Sequence, residues 1–519
     1  MSLFRSIATI GGWTMGSRIL GFVRDILIAG SLGAGLVADA FFVAFKFPNF
    51  FRRLFAEGAF NAAFVPLFGE QLEKDGARAA RVFAADTAAL MVATLLTFTL
   101  LAIIAMPILM YAIAPGFVNQ SEKFNLTIEL TRITFPYLTF MALVALMGGM
   151  LNTMQKFAAT AAAPILLNIV LILALLLLKL DVLKHPGFTL AWAVFAAGIG
   201  QFIWIAGACA KGGLLFRLRP PKLTPGVKQL LKLMVPGLIG AGVVQINLVV
   251  DLVLASTLQE GSVSFLYFAD RINQLPLGVV GVAVGVALLP LMTRQLAEGD
   301  EVGAAESQNR AVEFALLLTV PATLALVIIG DPVVRVLFER GAFDAAATAN
   351  TAAALSAFAL GLPAYVLIKA LTPGFFARQD TVTPVKVAIA AMVVNIILAV
   401  VLMQVWAHVG IALATACSAW LNAISLWIVL HYRGQFHADS RLLSRGMRII
   451  IVSLVMAAIL FFAERQLGDY LTGSGLERAA ALIILLVLGF AVFSAFAHYF
   501  GAVKVSELKS MLRRPRVRD

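Results

Sequence analysis

Charge is the scarcest commodity in this chain. Only 13% of its 519 residues are Asp, Glu, Lys or Arg, against about 25% in an ordinary soluble domain. A soluble fold is excluded on that ground. Cysteine is almost missing too. Cys209 and Cys417 lie inside apolar runs without metal-ligand spacing, so both read as packing residues. The histidines His185, His408, His431, His437 and His498 fall in loops or near the ends of apolar runs, with no HExxH pair. There is no GxxxxGK[ST] loop, which argues against ATP hydrolysis. Asp251, Asp270 and Asp380 are too scattered for the acidic metal site of a membrane phosphotransferase. The chain therefore reads as a non-enzyme. Its start, MSLFRSIATIGGWTMGSRIL, has no small-residue cleavage pattern and leads straight into an apolar run.

Apolar sequence is what remains. Hydrophobic residues make up 61% of the chain and the mean hydropathy is +0.94. The runs are too long, and the loops between them too short, for β-barrel strands. The expected fold is an all-α polytopic membrane protein with about fourteen transmembrane helices. They are expected near 6–32, 36–65, 78–113, 125–152, 158–180, 187–211, 226–256, 264–294, 304–330, 345–377, 383–406, 409–432, 445–466 and 477–502.

The net charge of +12 could suggest a nucleic-acid partner. Its placement argues for membrane topology instead, with no nucleic acid. Lys211, Arg217, Arg219, Lys222 and Lys228 share one loop, and Arg433, Arg441, Arg445 and Arg448 another. Lys504, Lys509, Arg513, Arg514, Arg516 and Arg518 fill the tail. With fourteen spans all three groups fall on one side, so both termini are expected in the cytoplasm.

A repeat runs through the chain. AFVPLFGEQL at 63–72 is echoed by ALLPLMTRQL at 287–296, Pro107 by Pro332, Pro136 by Pro363, and NIVLILA at 168–174 by NIILAVV at 395–401. The offset stays close to 225 and spans six helices. An even number of helices keeps both halves in one orientation, which predicts two parallel six-helix lobes with a site between them. The expected domains are an N-lobe at 1–211, a cytoplasmic linker at 212–228, a C-lobe at 229–432, two further helices within 433–502, and a basic tail at 503–519.

One stretch breaks the apolar rule. Residues 17–66 carry Arg18, Arg24, Asp25, Asp39, Lys46, Arg52, Arg53 and Glu57. A charge at membrane depth costs about 2.5–3.5 kcal/mol even on the mild insertion scale, so these charges point to a wet cavity rather than lipid. Asp39, Lys46, Arg53 and Glu57 stay within about 40° of one helical line. Arg18 and Asp25 share a face, whereas Arg24 lies off it. Pairing or snorkelling explains some of these charges, but cations exceed anions, and an anionic ligand would balance them. Arg271, beside Asp270, is a candidate from the second lobe. Arginine suits phosphate because its planar fork makes paired bonds and stays charged. Asp251 is an isolated membrane carboxylate that could pair with a lysine or hold Na⁺ or a proton.

SRILGFVRD (17–25), ADAFFVAFKFPNFFRRLFAEGAFNAAFVP (38–66), YFADRINQLPLGVVGVAVG (267–285) and FFARQDTVTPVK (375–386) together resemble the MurJ/MviN lipid II flippases of the multidrug/oligosaccharidyl-lipid/polysaccharide exporter superfamily. The resemblance covers essentially the whole chain. It implies movement of undecaprenyl-pyrophosphate-linked disaccharide-pentapeptide from the cytoplasmic to the periplasmic leaflet by alternating access, in the bacterial inner membrane. It implies substrate-binding roles for Arg18, Arg24, Arg52 and Arg271, with Asp39 and Lys46 on the same motif. Helices 13 and 14 would form a lipid groove, with membrane lipids and cell-wall synthesis enzymes as further partners. No cofactor is implied. Coupling to Na⁺ or H⁺ is a candidate, with Asp251 matching one Na⁺ ligand and Asp380 another. Gln274 departs from the Glu of some members. The rival readings are a cation-coupled exporter of drugs or polysaccharide-lipid and a non-transporting scaffold of cell-wall synthesis.

Overall fold

The computed structural model describes residues 3–54, 60–217 and 219–502. They form two compact units. Unit 1 comprises Met1–Ser264 with Arg340–Asp344, and unit 2 comprises Phe265–Glu339 with Ala345–Asp519. Unit 1 contains α1 (Leu3–Leu32), α2 (Leu36–Phe51), α3 (Asn61–Lys74), α4 (Gly76–Ile104), α5 (Met106–Ile113), α6 (Ser121–Thr134), α7 (Tyr137–Thr153), α8 (Phe157–Lys179), α9 (Pro186–Lys211) and α10 (Pro225–Ser256). α11 (Ser262–Ala297) begins in unit 1 and runs into unit 2. Unit 2 continues with α12 (Glu301–Ile328), α13 (Gly330–Phe338), α14 (Ala345–Ala359), α15 (Leu362–Phe376), α16 (Val382–Tyr432), α17 (Ser440–Gln466), α18 (Gly468–Thr472) and α19 (Gly475–Tyr499). Among the described residues, nine helical stretches are long and apolar enough to cross a membrane. The protein is an all-helical, multi-pass membrane protein.

The repeat shows in where helices break. Proline lacks the N–H that a helix interior needs, and its ring crowds the preceding turn. Pro107 accordingly sits in the first turn of α5, just after the break from α4. Pro332 stands in the same place in α13. Pro136 caps α7 and Pro363 starts α15. Three spans expected to be continuous, at 78–113, 125–152 and 345–377, are thus each two helices.

Packing combines buried phenylalanines, such as Phe41, Phe42, Phe64 and Phe68, with small residues. In unit 1, α1 lies along α8, α8 along α9, and α2 on α6. α10 rests on α3, α4 and α5, so by packing it belongs with unit 1, whereas the repeat counts it as the first helix of the second lobe. In unit 2, α14 buries Ala347, Thr348, Thr351, Ala352 and Ala354. Such side chains let helix backbones approach closely, the main source of helix association in lipid. α17 packs on α12 and α19, which places both expected extra helices within unit 2.

α16 is a hairpin. Its 51 residues reverse at Ala407, whose φ of 47° and ψ of −129° are non-helical. The expected spans 383–406 and 409–432 are its two arms. A methyl group on Gly410 would lie 2.3 Å from the Leu402 carbonyl oxygen. Gly410→Ala is therefore expected to lower stability by about 1–3 kcal/mol, the usual cost of overpacking, read as a lower thermal unfolding midpoint of the purified protein.

Asp380 ties the open ends of that hairpin. Its Oδ1 accepts from the Val382 and Thr383 backbone N–H groups at 3.1 and 2.9 Å, and its Oδ2 from Arg433 Nη1 at 2.7 Å. Thr383 first, and Arg433 next, hold the carboxyl below the usual carboxylate range. With the folded value depressed, the stabilisation is complete above the unfolded value near ~4 and fades as pH falls below it. Arg433 is 42% exposed, so solvent screening keeps the effect to about 1 kcal/mol or less. Unfolding midpoints between neutral pH and pH ~3 should fall less steeply for Asp380→Asn than for the native chain.

Candidate functional site

The charges of α1 divide into a buried pair and an exposed cation. Arg24 and Asp25 are 4% and 1% exposed. Arg24 Nε and Nη2 donate to Asp25 Oδ1 at 3.0 and 2.7 Å, and Nη1 donates to Asn168 Oδ1 at 2.9 Å. Asn168, on α8, also donates from Nδ2 to the Ser17 carbonyl oxygen at 2.9 Å. One amide thus bridges two positions of α1 that are seven residues, or about two turns, apart. The Arg24 guanidinium lies 5.9 Å from the Phe45 ring centroid. Arg18 is exposed. The seven-residue spacing put Arg18 and Asp25 on one face, yet that face is open at Arg18 and packed at Asp25.

α2 begins at Leu36 without a side-chain cap of its own. The first N–H groups of a helix have no partner within it. Here Leu36 donates its N–H to Glu260 Oε1 at 2.8 Å. The return contact is Asp39, 1% exposed. Its Oδ2 accepts from the Gly261 N–H at 2.8 Å, and its Oδ1 from the Ser264 N–H at 2.9 Å and the Ser264 hydroxyl at 2.6 Å. Each helix start, α2 and α11, is therefore capped by a carboxylate that precedes or opens the other. Leu36 and Glu260 are 224 residues apart and Asp39 and Ser264 are 225 apart, which is the repeat offset. Lys123 breaks the symmetry. Its Nζ donates to Asp39 Oδ2 at 2.7 Å and lies 4.1 Å from the Phe117 ring centroid. Two backbone contacts flank the caps: Ala342 N–H donates to the Gly30 carbonyl at 3.0 Å and Gly116 N–H to the Ser256 hydroxyl at 3.4 Å.

Further along α2, Lys46 is half-buried. Arg52 donates from Nε to Asn49 Oδ1 at 2.8 Å, and Asn49 donates in turn to the Phe45 carbonyl at 2.7 Å. Pro48 lies inside α2, and the helix continues past it to Phe51. Arg53 is exposed, and Glu57 lies outside the described residues. Arg271, in unit 2, donates from Nη2 to the Tyr267 hydroxyl at 3.1 Å with its guanidinium 5.1 Å from that ring. Asp270 accepts from Gln274. Asp251, on α10, accepts from Asn247 at 3.4 Å. No group of three or more His, Cys, Asp or Glu side chains that could hold a metal occurs among the described residues.

Unit 1 thus brings Arg18, Arg24, Asp39, Lys46 and Arg52 onto two consecutive helices, with Arg24 and Asp39 engaged internally. Asn168 appears in the sequence only as the first residue of a repeat segment, and Glu260 only as a loop carboxylate. Lys123, in the first turn of α6, is a further partner of Asp39 that the charged stretch at 17–66 does not include. A neutral amide in an apolar helix, and a lysine at a helix start, carry no pattern of their own. The repeat offset was the available signal for Glu260 and Ser264.

Comparison with known proteins bears on this arrangement. Residues 28–481 match the family described as lipid II flippase MurJ. A Rhizobium tropici protein named probable lipid II flippase MurJ is 45% identical over 99% of this chain and 98% of its own. A Burkholderia cenocepacia lipid II flippase MurJ is 34% identical across 100% of both chains. A solved structure of lipid II flippase MurJ in an inward closed conformation is similar at a TM-score of 0.79 and 26% identity, covering 97% of this chain and 99% of that one. An inward-facing multidrug resistance MATE transporter shares the fold at a TM-score of 0.68 and 14% identity, over 81% of this chain and 95% of its own.

Proposed function

The chain belongs to the lipid II flippase MurJ family, and from that membership we propose how it handles its cargo. It is a transporter of lipid II and not an enzyme. The cargo is the undecaprenyl-pyrophosphate-linked disaccharide-pentapeptide, carried from the cytoplasmic to the periplasmic leaflet of the inner membrane. The exposed guanidinium of Arg18, on the helix that also holds Arg24, is the observation that carries the binding part of this reading. Within unit 1, Arg18, Lys46 and Arg52 meet the pyrophosphate, Arg18 with no carboxylate among the described residues bonded to it; in unit 2, Arg271 is a separate candidate for the same anionic head. Arg24, buried against Asp25 and Asn168, holds the unit 1 surface in shape. Asp39 supports the site from within, since four donors occupy its oxygens.

The basic loops favour cytoplasmic termini. A cytoplasm-negative potential then favours outward movement of the anionic head, by about 2.3 kcal/mol per charge per 100 mV. Asp251 is the candidate Na⁺ or H⁺ ligand for coupling. Membrane lipids reach the chain along α17 and α19, and cell-wall synthesis enzymes are the expected protein partners. Cationic exposure argues against a drug exporter, whose cationic cargo would be repelled.

Reconstituted vesicles with fluorescent lipid II in one leaflet give the test. The native chain should make the head group accessible on the far side. The variant Arg18→Gln, Arg24→Gln, Arg52→Gln, Arg271→Gln should insert and fail to do so. Full transport by that variant would overturn the arginine site.

A further inference from the structure

A second polar site lies in unit 1, away from the arginines of α1. Gln71, Asp75, Arg78, Phe83, Asp86 and Thr224 line a cavity of about 510 Å³ where the starts of α4 and α10 meet the end of α3. Asp86 is only 8% exposed. No side chain or backbone group among the described residues donates to its carboxylate. Its oxygens open onto the cavity, so a cation that enters meets a carboxylate with no bonded partner among the described residues.

The oxygen donors around Asp86 are unused as well. Asp75 precedes α4 and Thr224 precedes α10, the positions where such side chains normally cap a helix. Neither makes a side-chain cap bond. Arg78 is exposed and lines the same cavity, three residues from Asp75. The space far exceeds what a bare metal ion fills. Val82 and Phe83, whose ring is stacked on Phe64, supply an apolar wall suited to methylene groups.

We propose that this pocket binds a primary ammonium carried on an aliphatic stem. Asp86 takes one ammonium hydrogen, Asp75 and Thr224 accept the other two, and the stem lies along Val82 and Phe83. Two sources share that chemistry: a free diamine, and an amine on the peptide of the transported lipid. The second source rests on the function proposed above.

The test uses the full-length protein in detergent, titrated calorimetrically at neutral pH with 1,5-diaminopentane. 1,5-Pentanediol, NaCl and MgCl₂ serve as comparison titrants. Saturable binding of the diamine and none of the diol is expected. Asp86→Asn should weaken the diamine by about tenfold or more, the scale of one charge-assisted bond. Asp75→Asn, at an exposed position, should weaken it several-fold without risk to folding. No saturable binding, equal binding in both variants, or displacement by equimolar Na⁺ or Mg²⁺ would overturn the proposal. A second arm compares lipid cargo with its peptide amine free and acetylated. If acetylation weakens binding only when Asp86 is present, the ammonium is the cargo's. If it has no effect while the diamine binds, a free amine is the ligand. Diamine binding needs no transport, so it fails or succeeds independently of flipping.

Discussion

Asp39→Ala is expected to destabilise the protein by about 3–5 kcal/mol, the cost of breaking one side of a buried ion pair. The substitution removes one carboxylate but strands four donors. The Lys123 ammonium, 2% exposed, would remain buried opposite a methyl group. The Gly261 and Ser264 N–H groups and the Ser264 hydroxyl would lose their acceptor. Asp39→Asn should recover only part of the loss, because the amide offers one acceptor oxygen and turns two N–H donors toward donors. The double variant Asp39→Ala, Lys123→Met discriminates ion-pair loss from cavity loss. Removing both charges should restore much of the stability, since a buried pair replaced by apolar groups is often near neutral. Thermal unfolding midpoints of the three variants carry the comparison. Equal midpoints for Asp39→Ala and the native chain would mean that the carboxylate holds nothing together. Restoration by the second substitution need not extend to transport, because the caps on α11 stay unmade.

Much of this architecture was legible from the sequence, for definite reasons. Long apolar runs can do little in a membrane except form helices, because every backbone group must be bonded internally. The prolines at 107, 136, 332 and 363 wrote the repeat into the sequence, and the same residues mark the helix breaks. Their effect on continuity is local and was open to inspection, yet hydropathy alone ran three spans straight through them. The charged stretch was equally visible as an excess. What the sequence left hidden was the assignment of each charge. Helical spacing fixes an angle around one axis and says nothing of what lies opposite. Arg24 and Arg18 look alike in SRILGFVRD, and only the position of Asn168 on α8 separates them. Asp39 looked like part of a ligand-facing stripe because its partners sit 84 and 225 residues away.

That separation gives the second large effect, a contrast between two arginines six residues apart. Arg18→Gln alters an exposed side chain and should leave stability within about 0.5 kcal/mol. If Arg18 meets the pyrophosphate, the same change removes a charged hydrogen bond worth about 1.5–3 kcal/mol, a loss of roughly 10–100-fold in affinity. Arg24→Gln should behave the other way round. It takes three donated bonds from Asp25 and Asn168, and a buried pair broken on one side costs about 3–5 kcal/mol. Transport falls with it, because the surface that presents Arg18 is no longer held. Lysine sharpens the contrast. Arg18→Lys keeps a charge in open space and should retain most binding at low salt. Arg24→Lys cannot reach Asp25 and Asn168 together, because an ammonium lacks the rigid fork. Head-group binding and unfolding, measured on all four variants, separate the cation that meets the cargo from the cation that holds the wall. Equal stability losses at both positions would erase the distinction and return Arg18 to the scaffold.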